Sequence, residues 1–402
     1  MADWYGAALR LLADEDVPSK QRIDLLAARA RSLGAIGHLD ETHAILLALL
    51  DLLPAEAAQT RVSLVCVCAT VESLRGHHRE AHERLRATLA NLDDRTSQAA
   101  VAVMIELAIN RYHAADYAQM REHAEAARAA AETLGEPPLL ATATATAAVA
   151  CDHRGDVRAA RAHADVAARL VDALPDAAAV ARLDAFSRLA FAELFLERYD
   201  ESVRHAERGI GLARASGRGL YLPQMVHAQA TSNVFRGRLG DAIESEERAV
   251  EAALLTGVPH SITWALMCCA YAHLWHDATV TLGIGKEAVQ LSRELPPSAT
   301  GTMAAAVYAA ALAQTGEHER CVRELLDAGR GPDLVAITIS WRPFFLDLLT
   351  RSQLACGRLD AADEAADGIS SATASSFAGV RPARTTRANA RATAPPTDPA
   401  RP

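Results

Sequence analysis

The sequence contains few aromatic residues and almost no lysine. Aromatic residues make up 4% of the 402-residue chain, and Lys20 and Lys286 are its only lysines. Half of the residues are hydrophobic, many of them alanine. This combination favours closely packed helices and disfavours a β-sandwich. We interpret the excess of arginine over lysine as codon bias. The composition therefore predicts an all-α protein.

The sequence also lacks the marks of a secreted, membrane-spanning or nucleic-acid-binding protein. Its first residues contain no basic segment followed by an apolar one, and no stretch approaches the ~20 apolar residues that span a bilayer. Its seven cysteines have no framework spacing, which indicates reduced thiols. The formal net charge is −9, which is unfavourable for contact with phosphates. We expect a cytoplasmic protein with no membrane partner and no direct binding to nucleic acid.

Nucleotide and nucleophile motifs are missing. The segment nearest to a phosphate-binding loop is Gly283-Ile284-Gly285-Lys286. Val280 stands where the loop needs its first glycine, and Glu287 stands where a magnesium-binding Ser or Thr is needed. No Gly-x-Ser-x-Gly elbow occurs. We therefore expect no cofactor, no catalytic residue and no enzymatic activity.

Two groups of potential metal ligands are present, and neither has a typical spacing. His78 and His82 are four residues apart, but a zincin needs Glu directly after the first histidine, where Arg79 stands. Cys268 and Cys269 are adjacent and point in different directions around a helix, so we do not expect a Cys/His zinc site there. The sequence predicts no metal site. A stand-alone enzyme or metalloprotein that uses the His77–His82 cluster is the alternative to a binding protein.

A short turn motif recurs along the whole chain. Its clearest copy is Gly237-Arg238-Leu239-Gly240-Asp241-Ala242. Glycine suits the end of a helix because it adopts positive φ without strain. Eight further anchors give a mean spacing of 40 residues, and the full set is Gly37, Gly76, His113, Gly155, Glu197, Gly237, His273, Gly316 and Gly357.

Small residues occur at a fixed distance from these anchors. A small residue stands five positions after every anchor, and alanine stands seven positions before six of them. Small side chains are needed where two antiparallel helices approach closely. The residues five positions after the anchors are Thr42, Ala81, Ala118, Ala160, Ser202, Ala242, Ala278, Cys321 and Ala362.

The repeats define the domain organisation. We predict a partial helix over 1–18, a helical-repeat domain over 19–370 and a disordered tail over 371–402 that is rich in Ala, Thr, Arg and Pro. The tail is either a natural linker or a frameshifted or truncated end. Within the repeats, one helix is predicted over 176–196 and another over 334–355, with Pro343 beginning or kinking the latter.

The motif resembles the tetratricopeptide repeat (TPR). Gly237, Leu239 and Ala242 correspond to the turn glycine, aromatic and alanine positions of that family, and Ala230 and Ala249 correspond to its other small positions. The period is 40 rather than 34 residues, and most of the family's Trp and Tyr residues are absent. The resemblance implies a right-handed α-solenoid of about nine TPR-like helical hairpins.

Long, degenerate repeats of this kind also resemble the sensor region of large ATP-binding transcriptional regulators of the LuxR family, such as the maltotriose-responsive activator. In that family an ATPase precedes the repeats and a helix-turn-helix follows them, and neither is visible in this sequence. The resemblance implies a sensing region and does not carry ATPase activity or DNA binding to this chain.

The inner helices of a solenoid form a concave binding surface. In the sixth repeat, Tyr221, Gln224, His227 and Thr231 place hydrogen-bonding groups on the first helix, and Trp264 follows on the next first helix. We predict that these residues bind a protein, a peptide or a small effector. Ordinary packing of Tyr221 and Trp264 is the competing interpretation, and self-association is left open.

Overall fold

The computed structural model describes residues 2–11, 20–35, 38–54 and 56–375. These residues form twenty α-helices and no β-strand. The helices of the first units are α1 (Ala2–Leu11), α2 (Lys20–Ala35), α3 (Leu39–Leu52), α4 (Ala58–Leu74), α5 (His78–Ala90), α6 (Gln98–His113) and α7 (Tyr117–Leu134). The central helices are α8 (Pro137–His153), α9 (Val157–Ala173), α10 (Asp176–Ala181), α11 (Leu183–Phe195), α12 (Tyr199–Ser216), α13 (Leu222–Phe235) and α14 (Leu239–Thr256). The last helices are α15 (Pro259–His273), α16 (Ala278–Arg293), α17 (Ala299–Gln314), α18 (His318–Gly329), α19 (Arg342–Ala355) and α20 (Leu359–Ser375).

Consecutive helices pair into hairpins, and each hairpin packs on the next. From α2 to α20 the described part of the chain forms nine such units, which confirms the all-α solenoid of TPR-like hairpins. The Ala-Thr alternation at 141–146 lies within α8, where Thr146 donates its hydroxyl to the carbonyl of Thr142 (2.8 Å). α1 fills part of the predicted 1–18 segment. α20 ends five residues beyond the predicted boundary at 370, and residues 376–402 of the predicted tail lie outside the described ranges.

Positive φ angles mark most of the predicted turns. Gly76, Gly155, Gly237, Gly316 and Gly357 have φ between 74° and 85°. Glu197 adopts a φ of 61° at its predicted anchor although it carries a side chain. In each of these units the second helix begins two residues after the anchor. The anchor Gly37 lies outside the described residues, but α3 begins at Leu39 as its frame requires.

Two predicted anchors are wrong. In the third unit the residue with positive φ is Ala115 (56°), two positions after the predicted His113. In the seventh unit the second helix begins at Ala278, so the turn residue is His276 rather than His273. With these corrections the steps between turns narrow to between 39 and 42 residues.

In the uncorrected register, Glu106, Leu266 and Thr350 stand where the other six units have alanine, and the correction removes the two large residues among them. Seven residues before the turn, Ala108 and Cys269 replace Glu106 and Leu266, so this position is now small in every unit. Five residues after the turn, Met120 and Thr281 are buried, whereas Ala118 is exposed. Five residues after its turn, the third unit therefore has a methionine where the sequence predicted alanine.

The predicted helix over 176–196 is interrupted. Arg182 leaves the helical region (φ −129°, ψ 44°) and separates the short α10 from α11. Its guanidinium group then donates to Thr142 Oγ1 (2.9 Å) and to Asp184 Oδ2 (2.7 Å). The break thus places a charged side chain against the preceding unit.

The predicted helix over 334–355 begins only at Arg342. Pro343 takes the second helical position, where its missing N–H is not needed. We call residues 330–341 the α18–α19 connector. Leu334 and Ile337 are fully buried in it, and the guanidinium of Arg342 donates to the carbonyl of Ile337 (2.8 Å). These contacts hold the connector against the solenoid as an irregular segment.

Units far apart in sequence touch across the solenoid. The ring of His260 in α15 lies 6.5 Å from His78 and 6.1 Å from His113. A Cβ atom on Gly76, whose φ is 80°, would lie 2.8 Å from Cδ of Pro296. This glycine is therefore required both by its backbone conformation and by the neighbouring unit. The solenoid winds tightly enough for early and late units to meet.

Candidate functional site

The first helices of the units line the inner face of the solenoid. The His113 ring of α6 lies near His260 of α15, and Glu106 of α6 interacts electrostatically with Arg188 of α11 and with Tyr221 at the N-cap of α13, although 70 or more residues separate these partners in sequence. Such contacts are possible only across the interior of the superhelix. A binding site on this face would be built from several units at once.

A group of charged and polar residues gathers on this face. We call it the inner-face cluster, and its members are Glu106, Arg182, Asp184, Arg188, Tyr221 and Gln224. Arg182 and Asp184 are joined by an ion pair (2.7 Å), and the Thr142 hydroxyl donates to Asp184 (3.4 Å). This part of the cluster is internally satisfied.

Glu106 acts electrostatically on Tyr221 across the interior of the solenoid. Burial raises the pKa of Glu106, Arg188 opposes that shift, and Asp184 adds to it. Burial also raises the pKa of Tyr221, with Glu106 and Asp184 contributing. The Arg188 guanidinium lies over the Tyr221 ring, 5.7 Å from its centroid. Glu106 and Tyr221 therefore stay in their neutral forms more readily than exposed groups do.

Two members of the cluster have buried polar atoms without a partner. Nε of Arg188 and Oε1 of Gln224 make no hydrogen bond with any residue in the described ranges. One is a donor and the other an acceptor. Gln224 follows Tyr221 by three residues, so the two share a face of α13. An unpaired buried polar group typically costs ~1–3 kcal/mol, so a polar ligand here would remove a penalty.

The structure divides the predicted site residues into two groups. Tyr221 and Gln224 belong to the inner-face cluster. His227, Thr231 and Trp264 pack together one turn further along: the rings of His227 and Trp264 are 5.1 Å apart, and Thr231 Oγ1 lies 3.4 Å from His227 Nδ1. Thr231 is 2% exposed, so it contributes to packing more than to an accessible surface.

Separate from the inner-face cluster, a cavity lies at the turn end of the central units. We call it the aromatic pocket. Its volume is about 140 Å³, and seven of the 18 aromatic residues of the chain line it. The aromatic lining consists of Phe195, Tyr199, Phe235, Tyr271, Trp275, Trp341 and Phe344.

The α18–α19 connector forms one wall of this pocket. Trp341 packs edge-on against Tyr271 (5.1 Å) and nearly parallel to Phe235 (6.1 Å). Ser340 donates its hydroxyl to the buried carboxyl of Asp152. Burial raises the pKa of Asp152 to about 6, although the bond from Ser340 opposes the shift. The pocket thus combines an apolar lining with one acid that titrates near neutral pH.

The structure separates the histidines of the His77–His82 region. The His78 ring stacks on His113 (6.0 Å), whereas the His82 ring lies 6.4 Å from His123. Burial lowers the pKa of both, to about 4 for His82. Neither takes part in the groups of three metal-capable side chains that occur among the described residues. Gly283 and Gly285 lie inside α16, as the repeat frame predicts.

Sequence reasoning missed the charged part of the inner face and the aromatic pocket. Glu106 was a visible exception among small residues in the uncorrected register, and that exception was a usable signal. The pocket gave no local signal, because its aromatic residues come from five helices, the α15–α16 turn and the α18–α19 connector. All seven cysteines carry free thiols. No helix in the described ranges is long and apolar enough to cross a membrane.

Comparisons with known proteins identify the fold. No protein-family model matches the sequence, and no curated protein matches it. The structure resembles a Rap protein that was crystallised in complex with competence and sporulation factor, with a TM-score of 0.59 and 9% identity. That similarity covers 88% of this chain and 98% of the other.

Two further solved structures align more loosely. Aspartyl phosphate phosphatase F from Bacillus subtilis has a TM-score of 0.49 and 11% identity, over 90% of this chain and 96% of the other. A signal-transduction ATPase with a tetratricopeptide repeat sensor, from Pyrococcus horikoshii, has a TM-score of 0.42 and 13% identity, over 81% of this chain and 52% of the other. The chain shares the fold of TPR-like helical repeat proteins.

Proposed function

We propose that this chain is a non-catalytic binding scaffold that captures a peptide segment on its inner face. The binding residues are Arg188, Tyr221 and Gln224, with Glu106 opposite them. A protein partner would present the same segment as part of its chain. The scaffold acts in the cytoplasm as a sensing region, in the manner of the repeat portion of ATP-binding transcriptional regulators.

One observation carries this proposal: a buried donor on Arg188, which lies over the Tyr221 ring, and a buried acceptor on Gln224, three residues after Tyr221, both lack hydrogen-bond partners among the described residues. A peptide group offers one carbonyl acceptor and one N–H donor. A bound peptide therefore offers the acceptor that Nε of Arg188 lacks and the donor that Oε1 of Gln224 lacks. The Tyr221 ring beneath Arg188 supplies a flat apolar surface for the neighbouring side chain.

The structural comparison supports a binding role for this architecture. The Rap protein that shares the fold was crystallised with competence and sporulation factor, so a solenoid of this kind holds a partner in at least one case. Solenoids in general present extended concave surfaces for recognition. The role in transcription regulation rests on the resemblance of the repeats to LuxR-family sensor regions.

Binding of peptides selected from a random-sequence library tests the proposal. Affinity for a selected peptide should fall about 10- to 100-fold in Arg188→Gln, because a hydrogen bond to a charged group contributes about 1.5–3 kcal/mol. Gln224→Ala should reduce it about threefold to tenfold. Arg248→Gln and Gln290→Ala are matched controls, since both residues lie on second helices and are exposed.

Two results would overturn the proposal. One is a library that yields no binder of the full-length chain. The other is a selected peptide whose affinity is unchanged in Arg188→Gln and Gln224→Ala while both variants keep the helical circular-dichroism spectrum of the parent.

A further inference from the structure

Glu246 occupies a core position that is apolar in every other unit. It lies nine residues after the turn of the sixth unit and is 1% exposed. The equivalent residues of the other eight units are Leu46, Leu85, Ala124, Ala164, Ala206, Gly285, Leu325 and Ala366. A carboxylate at this place is expensive to bury unless other groups satisfy it. Its presence calls for a specific partner.

The partners within reach are a histidine and a cysteine. Nδ1 of His227 in α13 donates to Oε1 of Glu246 in α14 (2.8 Å). Sγ of Cys268 in α15 completes the group, and the three ligand atoms all lie within 4.8 Å of one another. Oε2 of Glu246 has no hydrogen-bond partner in the described part of the chain. Three potential ligands and one unsatisfied oxygen thus converge in the core.

Two other glutamate–histidine pairs in this chain also include an arginine. Glu72 accepts from His43 and also from Arg84 (2.8 Å), and Glu125 accepts from His163 and also from Arg128 (3.1 Å). Within the ranges that the structure describes, no lysine or arginine forms an ion pair with Glu246. Within the same ranges, Glu193 also pairs with His205 (2.7 Å) without an arginine. Unlike Glu193, Glu246 has a buried carboxylate oxygen without a hydrogen-bond partner among the described residues, so it is well placed to receive a cation from outside the chain.

We propose that His227, Glu246 and Cys268 form a zinc-binding site. Imidazole nitrogen, carboxylate oxygen and thiolate sulfur are the three ligand types that zinc takes in proteins. Zn²⁺ would neutralise the carboxylate and satisfy its second oxygen. Three protein ligands leave the fourth tetrahedral position for water or a bound molecule. The ligands come from α13, α14 and α15, so the ion would tie the sixth unit to the seventh.

The thiol must lose its proton when the ion binds. Burial raises the pKa of Cys268, and Glu246 and Cys269 raise it further. Metal-free protein therefore holds a neutral thiol, and zinc binding releases one proton from it to solvent. Affinity for zinc should accordingly increase with pH. The ligand atoms must also draw closer together, since Zn–S is about 2.3 Å and Zn–N about 2.0–2.1 Å.

The site goes beyond the proposed peptide-binding function and is tested separately from it. Full-length chain, purified without a histidine tag and treated with chelator, is titrated with Co²⁺, which takes the same ligands as Zn²⁺. The expected result is one equivalent bound, with visible bands of tetrahedral Co²⁺ and a thiolate-to-cobalt charge-transfer band. Zn²⁺ should then displace the cobalt and abolish both.

Matched variants assign the ligands. Cys268→Ser should lose the charge-transfer band and lower zinc affinity at least 100-fold, whereas Cys269→Ser should keep both. Cys151→Ser serves as a second control, because Glu125, Cys151 and His163 form another group with three ligand types. Glu246→Leu should also abolish zinc binding. This variant is expected to fold, because leucine stands at the same position in three other units.

Two outcomes overturn the inference. In the first, the parent chain binds no cobalt or shows no thiolate band. In the second, the band persists in Cys268→Ser and disappears in Cys151→Ser or Cys269→Ser. Circular dichroism of each variant confirms that a lost band reflects a lost ligand. Unchanged peptide affinity in Cys268→Ser would show that the two proposals stand or fall independently.

Discussion

Ser340 donates a hydrogen bond to Asp152 across the solenoid, although 188 residues separate the two in sequence. Asp152 lies at the end of α8 in the fourth unit, and Ser340 lies in the connector before the ninth. Both residues line the aromatic pocket, so the bond links the connector to the fourth unit at this pocket.

The first prediction concerns the pH dependence of Asp152. Because its pKa is raised from 3.8 to about 6, the folded chain keeps a proton that the unfolded chain releases between about pH 4 and pH 6. The contribution of Asp152 to the free energy of unfolding therefore falls as the pH rises through this window. Asp152→Asn removes that loss while leaving an acceptor for Ser340. It should stabilise the chain by about 2–3 kcal/mol at pH 7 and have little effect near pH 4.

Urea unfolding of Asp152→Asn and its parent at several pH values measures this difference. Asp93→Asn is the matched control, since Asp93 is exposed in a loop. A stabilisation that is the same at pH 4 and pH 7 would contradict the assignment of a raised pKa to Asp152.

The second prediction concerns His260, which acts in the opposite direction. Burial, with His78 contributing, lowers its pKa from 6.5 to about 4. The unfolded chain therefore binds a proton that the folded chain rejects, and stability is lost as the pH falls from about 6.5 to about 4. His260→Gln should retain up to about 3 kcal/mol more of its pH 7 stability at pH 4 than the parent does.

Thermal unfolding of His260→Gln at pH 7 and pH 4 checks this expectation against His276→Gln, whose side chain is exposed. Equal losses on acidification in the parent and in His260→Gln would rule out His260 as a source of acid sensitivity.

The third prediction concerns the anchor of the α18–α19 connector. Trp341 contacts Phe235 and Tyr271, and the backbone hydrogen bonds of the connector are isolated turn bonds rather than those of a helix. Trp341→Ala should destabilise the chain by about 2–4 kcal/mol and open the aromatic pocket. Trp4→Ala, at a tryptophan that is 79% exposed, should change stability by less than about 0.5 kcal/mol. Denaturation midpoints compare them, and similar midpoints would show that the connector is not held by Trp341.

The fourth prediction concerns the small position that follows each turn. Ala242 is fully buried between helices, so Ala242→Leu should cost about 1–3 kcal/mol through overpacking. Ala252→Leu on the exposed face of α14 should be nearly neutral. In the third unit the equivalent residue is Met120, where truncation to Ala should instead cost about 2–5 kcal/mol. A stable Ala242→Leu or Met120→Ala would contradict the corrected register.

The fold could be predicted because its determinants are local and repeated. Gly237 and its equivalents have positive φ where the turn requires it, and small residues recur where helices touch. The two misplaced anchors had no such marker: Ala115 adopts positive φ without being glycine, and the turn at His276 has no positive φ at all. A single unit carries too little information to locate such a turn, and only the structure gives its register.

The candidate sites were predictable only in part, because they depend on contacts between distant units. Tyr221 and Gln224 could be selected from the hydrogen-bonding face of one helix. The partners of Glu106 and Ser340 could not be predicted, since they lie in distant units and the winding of the solenoid determines the pairing. The cost of burying Glu246 could have been noticed from the repeat alignment, but only after its register was corrected.

Photo-crosslinking tests most directly whether the ligand contacts the inner face. A benzophenone amino acid replaces Gln224 on the inner face or Leu255, which is 86% exposed on a second helix. Each variant is irradiated with the selected peptide, and the adducts are located by mass spectrometry. If the peptide binds on the inner face, adducts form at position 224 and none form at position 255. Adducts at position 255 with none at position 224, while the peptide still binds, would contradict it.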